Sequence, residues 1–409
     1  MSAAKISVSG LGYIGLPTAT MFANAGATVI GLDVNQYTID IINEGKIHIV
    51  EPGLEEIVKK VVSSGNLRAS LYAEKADAFL IAVPTPFKGE DYTPDLSYIE
   101  AAVNTIAPVL ESGNIIILES TSPVGATEQM VEWLSALRPK LKFPKHEVDV
   151  DVDVHIAYCP ERVLPGHVIR ELVENNRTIG GMTPECTRKA KEIYRIFVKG
   201  DLLETNARTA EMTKLTENAF RDVNIAFANE LSLICDSLDI DVWELIKLAN
   251  HHPRVNILRP GAGVGGHCIA VDPWFIVNKT PELAKMVRSA REVNDYKPKW
   301  VIQQIENEIE KLGPLGRKPK VALLGLAFKP DIDDLRESPA VEIAKEFGLN
   351  GSVELFLVEP HIQKLPTDII NGRLVSLEEA LEQADVCAVL VKHTEFIQLS
   401  TDVVMSFVG

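Results

Sequence analysis

The sequence predicts an α/β protein in which two doubly wound parallel-sheet domains are joined by a long central helix and a helical middle domain. Three observations carry that prediction. Short apolar strands alternate with helical stretches from Lys5 to Tyr158 and again from Val321 to Val391, the pattern of a parallel sheet covered on both faces. A glycine-rich turn, Gly10-Leu-Gly12-Tyr-Ile-Gly15, joins the first strand to the first helix. Between Thr209 and Leu238 no Gly or Pro interrupts the chain, and Leu215, Ala219, Val223, Ala226 and Leu231 recur at helical spacing.

In chain order, Lys5–Ser9 reads as the first strand, Ile14–Ala25 as a helix and Thr28–Asp33 as the second strand. Ile6 to Leu32 carries no charged residue and has the length to span a bilayer. Gly10, Gly12, Gly15, Pro17, Asn24 and Gly26 cut it into short pieces, so it reads as a buried strand–turn–helix–strand, and no membrane association is expected. Further strands are expected at Ala78–Val83, Ile115–Leu118 and Val154–Tyr158. Val148-Asp-Val-Asp-Val-Asp-Val154 alternates with a period of two and predicts an exposed edge strand. The long helix and a second helical region follow, and Gly313–Pro319 has linker composition. Strand and helix signals resume at Val321–Leu324, Ala340–Phe347, Val353–Val358 and Val386–Val391.

The 409 residues are 46% hydrophobic and 24% charged, the balance of a chain with a sizeable core. Against 57 acidic residues stand 41 basic ones, a net charge of −16 that argues against nucleic acid as a partner. An anionic ligand must therefore be held by a few placed Arg and Lys residues or by backbone amides. Cys159, Cys186, Cys235, Cys268 and Cys387 make an odd count with no C-x-x-C pair. That points to a reducing, cytoplasmic setting and away from a disulfide framework or a zinc cage. No metal is expected.

The glycine turn has the context a dinucleotide site needs. Gly10 permits the tight turn, Gly12 lets the backbone amides of the Tyr13-Ile14 segment approach a pyrophosphate, and Gly15 allows close helix–strand packing at a helix N-terminus that favours negative charge. Asp33 ends the second strand 18 residues beyond Gly15. Its carboxylate suits the adenosine ribose hydroxyls and repels a 2′-phosphate, so NAD is expected rather than NADP. Thr85, in Pro84-Thr85-Pro86, and Thr121 and Thr127, in the Ser120–Thr127 loop, follow later strands and complete the expected cofactor edge. Further along, Gly261-Ala-Gly263-Val-Gly265-Gly266-His267-Cys268 sets one thiol behind four glycines, a loop able to turn several N–H groups toward an anion.

Taken together, these segments resemble the NAD-dependent UDP-sugar 6-dehydrogenases, typified by UDP-glucose dehydrogenase. The matching motifs run in family order: Gly10–Gly15, Pro84–Pro86, Ser120–Gly125, Cys159-Pro-Glu161, Glu211-Met-Thr-Lys214-Leu-Thr-Glu-Asn218, Gly265-Gly-His-Cys268, and Phe328-Lys329-Pro-Asp331 through Arg336-Glu-Ser-Pro339. Within the family, Pro160-Glu161-Arg162-Val163-Leu-Pro165, Asn218-Ala-Phe-Arg221 and His251-His252-Pro253-Arg254 resemble the branch that oxidises UDP-N-acetyl-D-mannosamine. UDP-glucose dehydrogenases typically carry Phe at the place of Arg162 and a second Glu at that of Pro165. The resemblance implies an NAD-binding, Rossmann-like domain over residues 1–205. A central helical, dimerising domain with the catalytic cysteine would follow over 206–312, and a UDP-sugar-binding α/β domain over 313–409.

It also implies the chemistry. Oxidising a primary alcohol to a carboxylate removes two hydrides and uses two NAD in succession. Cys268 would add to the aldehyde, giving a thiohemiacetal from which the second hydride leaves, and then a thioester. Glu161 would act as general base or position the hydrolytic water. Lys214 would take the alcohol proton or stabilise the alkoxide, with Asn218 sharing that oxyanion one helical turn later and Asp272 orienting the cluster. Arg162, Val163, Arg221, His252, Gly265, Phe328 and Lys329 are expected around the UDP-sugar. Arg254 is expected at the phosphates, from this chain or a neighbouring one, and Arg336 near the cofactor pyrophosphate. Asp331, Asp333 and Asp334 read as loop-capping groups. The product would feed bacterial surface polysaccharides such as enterobacterial common antigen, and a homodimer or dimer-based oligomer is expected. UDP-glucose, UDP-GlcNAc and UDP-GalNAc stand as alternative substrates, and a non-catalytic NAD and UDP-sugar binder as an alternative class. The last segment, Val403–Gly409, ends earlier than in such proteins, which implies a missing or altered edge strand.

Overall fold

The computed structural model describes residues 4–89, 92–147, 151–164, 166–266, 268–397 and 399. They form two compact units, Met1–Glu217 and Asn218–Gly409.

In the first unit the strands are β1 (Lys5–Ser9), β2 (Thr28–Leu32), β3 (Leu67–Ser70), β4 (Ala78–Ile81), a short hairpin β5 (Phe87–Lys88) and β6 (Thr93–Pro94), β7 (Ile115–Leu118), β8 (His155–Tyr158), β9 (Arg177–Gly181) and β10 (Leu202–Asn206). Helices α1 (Gly15–Asn24), α2 (Gln36–Asn43), α3 (Leu54–Ser63), α4 (Ser97–Ile106), α5 (Ala126–Leu137), α6 (Val168–Glu174) and α7 (Pro184–Tyr194) lie between them. Eight strands form one sheet in the order β10-β9-β8-β7-β4-β1-β2-β3. The order reverses between β1 and β4, and ligands of open α/β sheets bind outside the carboxyl ends at such a reversal.

β4 and β7 are buried along their whole length, as strands covered on both faces must be. Their side chains alternate between two cores. Leu80 and Ile117 join Val8, Leu16 and Phe22 on one face. Phe79 and Ile116 join Ile30, Met130 and Tyr158 on the other.

Two expectations change here. The sheet is not wholly parallel: β9 pairs antiparallel with β8, and β10 follows β9. The alternating Val148–Val154 segment does not form an edge strand among its described residues, 151–154. Asp153 accepts hydrogen bonds from the Lys142 N–H and the Ser112 hydroxyl and ties the segment into a loop, while Val154 is buried at the entrance to an interior strand. Residues 148–150, like Pro165, His267 and the Val403–Gly409 end, lie outside the described residues.

Helix α8 (Ala207–Ser237) has 31 residues, the expected long helix displaced by a residue or two, and it carries the chain from the first unit into the second. The second unit continues with α9 (Val242–Ala249), α10 (Asp272–Lys279) and α11 (Lys285–Lys311). A parallel four-stranded sheet follows, ordered β13-β12-β11-β14. Its strands are β11 (Lys320–Leu324), β12 (Glu354–Val358), β13 (Gly372–Leu374) and β14 (Val386–Val389), with helices α12 (Pro339–Asn350) and α13 (Leu377–Gln383). Leu323 and Leu355 face one core of this unit; Leu324 and Phe356 face the other. No helix among the described residues is long and apolar enough to cross a membrane.

Candidate active site

The three glycines after β1 differ in what surrounds them. Gly10 adopts φ +88°, and a Cβ there would lie 2.7 Å from the Ala82 carbonyl oxygen beyond β4. A Cβ on Gly15 would lie 1.7 Å from the Gly10 carbonyl oxygen. Gly12 has nothing within 4 Å of that position. Two glycines thus close the turn and one leaves its outer side open, which fits a dinucleotide pyrophosphate approaching the α1 N-terminus. Asp33 stands at the end of β2, half-buried. It accepts hydrogen bonds from Leu11 N at 2.9 Å and Asn35 N at 2.9 Å, so the acid expected to face the ribose also braces the glycine turn.

The Ser120–Thr127 loop is held from within. Ser120 donates to the Val83 carbonyl at 2.7 Å, Ser122 to the Ser120 carbonyl, and Thr85 to the Thr121 carbonyl. Thr127 is fully buried: both its N–H and its hydroxyl bond to Glu211, at 2.8 and 2.6 Å. Glu211 thus fixes Thr127 within the expected cofactor edge, and Thr85 and Thr121 are the half-buried threonines of that edge. Glu211 also accepts from Gly125 N at 2.7 Å. Its carboxylate caps α5, and burial pushes its pKa up despite those hydrogen bonds. The sequence showed Glu211 only as one letter of a motif.

Glu161, beyond β8, is buried with both oxygens engaged. One accepts from Arg162 N at 2.6 Å and the other from the Arg177 guanidinium at 2.8 Å. Arg177 escaped the sequence reading. It opens β9, and extending the Tyr158↔Gly180 register three steps places it opposite Glu161. Arg162 points its own side chain at Glu217, 2.6 Å away, and at the Asn176 carbonyl. Reaching a sugar requires that it leave those partners. Val163 packs against the core beside it. Lys214 is half-buried on α8.

In the second unit, Asn218, one turn beyond Lys214 on the same helix, donates to Asp272 at 2.5 Å. Asp272 is the first residue of α10, and its N–H bonds to the Cys268 carbonyl at 2.8 Å. Asn218, Asp272 and the half-buried Cys268 are thereby brought together. The glycines before the thiol are dictated by packing as well as by any anion. A Cβ on Gly265 would meet the Glu337 carbonyl oxygen at 2.4 Å and Phe328 at 2.8 Å, and one on Gly263 would meet Pro339 at 2.9 Å. Gly266 N bonds to the Arg336 carbonyl at 3.2 Å.

The far end of this loop hangs on a buried polar chain that apolar periodicity could not reveal. Gly261 N bonds to Asn229, Asn229 to Asn294, and Asn294 and Arg291 to Asp222, all between 2.7 and 2.9 Å. Arg336 forms a two-pronged pair with Asp334, and Asp331 accepts from the Thr394 N–H and hydroxyl, as loop-capping carboxylates should. Lys329 is half-buried in that loop. Arg221, His252 and Arg254 are exposed, the last two linked by a hydrogen bond from Arg254 N to the His252 ring.

The UDP-glucose/GDP-mannose dehydrogenase family model matches in three parts: its NAD binding domain over residues 4–198, its central domain over 208–296 and its UDP binding domain over 322–408. The chain is 61% identical over 406 residues to a UDP-N-acetyl-D-mannosamine dehydrogenase of Campylobacter jejuni, covering 98% of each chain. It is 58% identical to an NDP-N-acetyl-D-galactosaminuronic acid dehydrogenase of Ralstonia nicotianae, covering 97% of this chain and 92% of the relative. Among solved structures, a UDP-D-ManNAc dehydrogenase from Pyrococcus horikoshii superposes with a TM-score of 0.87 at 39% identity, over 98% of this chain and 93% of that one. This chain belongs to the UDP-glucose/GDP-mannose dehydrogenase family and is an NAD-dependent oxidoreductase.

Proposed function

We propose that the protein oxidises C6 of UDP-N-acetyl-D-mannosamine to the uronate in two NAD-dependent steps. The observation that carries this reading is the Asn218–Asp272–Cys268 cluster, one helical turn from Lys214, in a chain so similar to dehydrogenases of UDP-linked acetamido sugars. NAD, when bound, accepts the hydrides; two are used per sugar. Lys214 takes the hydroxyl proton or stabilises the alkoxide as the first hydride leaves, with Asn218 on the same oxygen. The Cys268 thiol adds across the resulting aldehyde: a C–S bond forms and the hydroxyl retains the proton. Loss of the second hydride to NAD and of that proton to solvent leaves a thioester. Water adds to the thioester carbon, its proton passes to Glu161 or to a neighbouring water, and the C–S bond breaks to return the thiolate.

The cofactor site we assign comprises Gly10, Gly12, Tyr13, Ile14, Gly15, Asp33, Thr85, Thr121, Thr127 and Arg336. The sugar nucleotide site comprises Arg162, Val163, Arg221, His252, Arg254, Gly265, Phe328 and Lys329. We assign residues 1–205 to the dinucleotide domain, 206–312 to the central domain and 313–409 to the UDP-sugar domain. A homodimer fits α8: Phe220, Phe227 and Ile234 are exposed and seven residues apart, an apolar stripe down one side of the helix. Cytoplasmic synthesis of a uronate for surface polysaccharides such as enterobacterial common antigen is the setting we propose.

The test is a progress curve at 340 nm with quantified uronate. Two NADH per uronate are expected, and a Cys268→Ser variant should release no uronate. One NADH per sugar with aldehyde as final product refutes the reading. Because the Ralstonia relative acts on a galactosamine-derived sugar, kcat/KM across UDP-ManNAc, UDP-GalNAc, UDP-GlcNAc and UDP-glucose decides the sugar.

A further inference from the structure

Behind Glu161 lies a buried cluster that the reaction above leaves unused. Arg177 donates from one guanidinium nitrogen to Glu161 at 2.8 Å, and its other terminal nitrogen stands 3.6 Å from Glu119. Glu119 follows β7 at the carboxyl edge of the sheet, accepts the Tyr194 hydroxyl at 2.5 Å on that same oxygen, and has its second oxygen buried without a hydrogen-bond partner. Tyr194 and Phe197 cover the guanidinium, 4.8 and 5.8 Å from ring centroid to its carbon. All of these side chains are inaccessible or nearly so. One buried cation is thus shared between a carboxylate at the proposed reaction edge and a carboxylate behind it. The reversal of β9 brings this about: running antiparallel to β8, it presents its first residue, not its last, at the functional edge.

We propose that Arg177 is a positioning residue that aims Glu161 at the hydrolytic water, and that Glu119 sets how firmly Arg177 holds it. The proposal rests on the role of Glu161 given above. When Glu119 is ionised it draws on the guanidinium, and the Glu161 carboxylate is freer to take a proton from water. When Glu119 is neutral, the whole charge of Arg177 falls on Glu161.

The other groups facing Glu119 hold their charge state near neutral pH. Burial pushes the Cys159 thiol up to about 12 and raises Tyr194 well above its ordinary value. Burial works against the Arg177 charge, but Glu161 and the groups around it outweigh burial and keep the guanidinium protonated. Burial pushes Glu119 to about 7, with Arg177 opposing and Glu161 reinforcing, which puts its titration in the working range.

The experiment uses the full-length enzyme, UDP-ManNAc and NAD, with rapid quench and mass spectrometry of Cys268. It yields the rate of the NADH burst and the rate at which covalently bound sugar is hydrolysed, from pH 5.5 to 8.5. In the wild type, hydrolysis should accelerate through pH 7. Glu119→Gln, nearly isosteric, should abolish that rise and remain at the slow, low-pH rate. Arg177→Lys should slow hydrolysis by ~10²-fold, the cost of a misplaced catalytic group, with burst rate and KM within about twofold and with bound sugar accumulating; Arg177→Met should be slower still. A Glu119→Gln profile that matches wild type overturns the proposal, as does an Arg177→Lys enzyme whose burst and hydrolysis fall equally. Glu161→Gln separates the two levels. If it hydrolyses at the wild-type rate, the role of Glu161 falls and this proposal with it. If it accumulates bound sugar while the Glu119 and Arg177 variants do not differ from wild type, only the present proposal falls.

Discussion

Replacing Gly12 and Gly15 by alanine, one at a time, separates a glycine required by a ligand from one required by the fold. A Cβ on Gly15 would sit 1.7 Å from the Gly10 carbonyl oxygen, a backbone atom in a turn that is itself pinned by Gly10 N on the Leu32 carbonyl. Real contacts of this kind begin near 3 Å, so α1 or the turn must move by more than an ångström. Overpacking of that order costs about 1–3 kcal/mol. Gly12 has an ordinary backbone conformation and open space around its Cβ position. Alanine there should leave stability unchanged or raise it by about 0.4–1 kcal/mol through the unfolded chain, while its methyl group stands where the pyrophosphate must approach. Loss of only ~1.4 kcal/mol of binding raises the dissociation constant tenfold. Urea unfolding and NAD titration of both variants give the answer: Gly15→Ala should lower the unfolding free energy, and Gly12→Ala should weaken NAD at least tenfold at wild-type stability. A Gly12→Ala enzyme that binds NAD normally refutes the placement of the dinucleotide at this turn.

Two further outcomes follow from the buried carboxylates. Glu211→Ala strands the Gly125 and Thr127 N–H groups at the start of α5, each costing about 1–3 kcal/mol. Denaturant unfolding should show a loss of about 2–6 kcal/mol and a raised KM for NAD, whereas a loss below about 1 kcal/mol would count against the capping role. Glu359 carries the opposite pH signature. Burial works against its charge, but the His393 ring at 3.0 Å and the Leu326, Ala327 and His361 N–H groups outweigh it and hold the carboxyl down at about 2. A depressed folded pKa stabilises above the ordinary 4.5 and is lost as pH falls toward 2. Thermal unfolding should therefore show the second unit weakening across that interval in the wild type, and Glu359→Gln should start weaker and change less.

Much of the fold was legible because its signals are local. The β1–turn–α1 unit follows from a burial pattern and three glycines, and the α8 boundaries from the absence of helix breakers. Non-local pairing was not legible. Arg177 lies 16 positions from Glu161 in sequence, and only the antiparallel turn of β9 makes them neighbours. Glu211, Asp222 and Asn229 look like the polar face of a helix, yet each is fully buried because its partner arrives from another element: Thr127, Arg291 and Asn294. The Val-Asp alternation near residue 150 misled in the reverse direction, since Asp153 accepts from the Lys142 N–H and the Ser112 hydroxyl.

The two sheets share one turn with different fates. Gly325 repeats Gly10, at φ +90° and +88°, each donating its N–H to the end of the neighbouring strand at 2.8 Å, and Glu359 stands where Asp33 does. Asp33 has two backbone partners and lone pairs to spare, whereas Glu359 is saturated by three amides and an imidazole of its own unit. The turn of the second sheet thus lacks the spare carboxylate capacity that the first keeps beside the α1 N-terminus. If each sugar surrenders four electrons, the reduced coenzyme has to depart and a fresh one dock while the half-finished product stays tethered, so coenzyme exchange becomes an obligatory beat in every catalytic cycle.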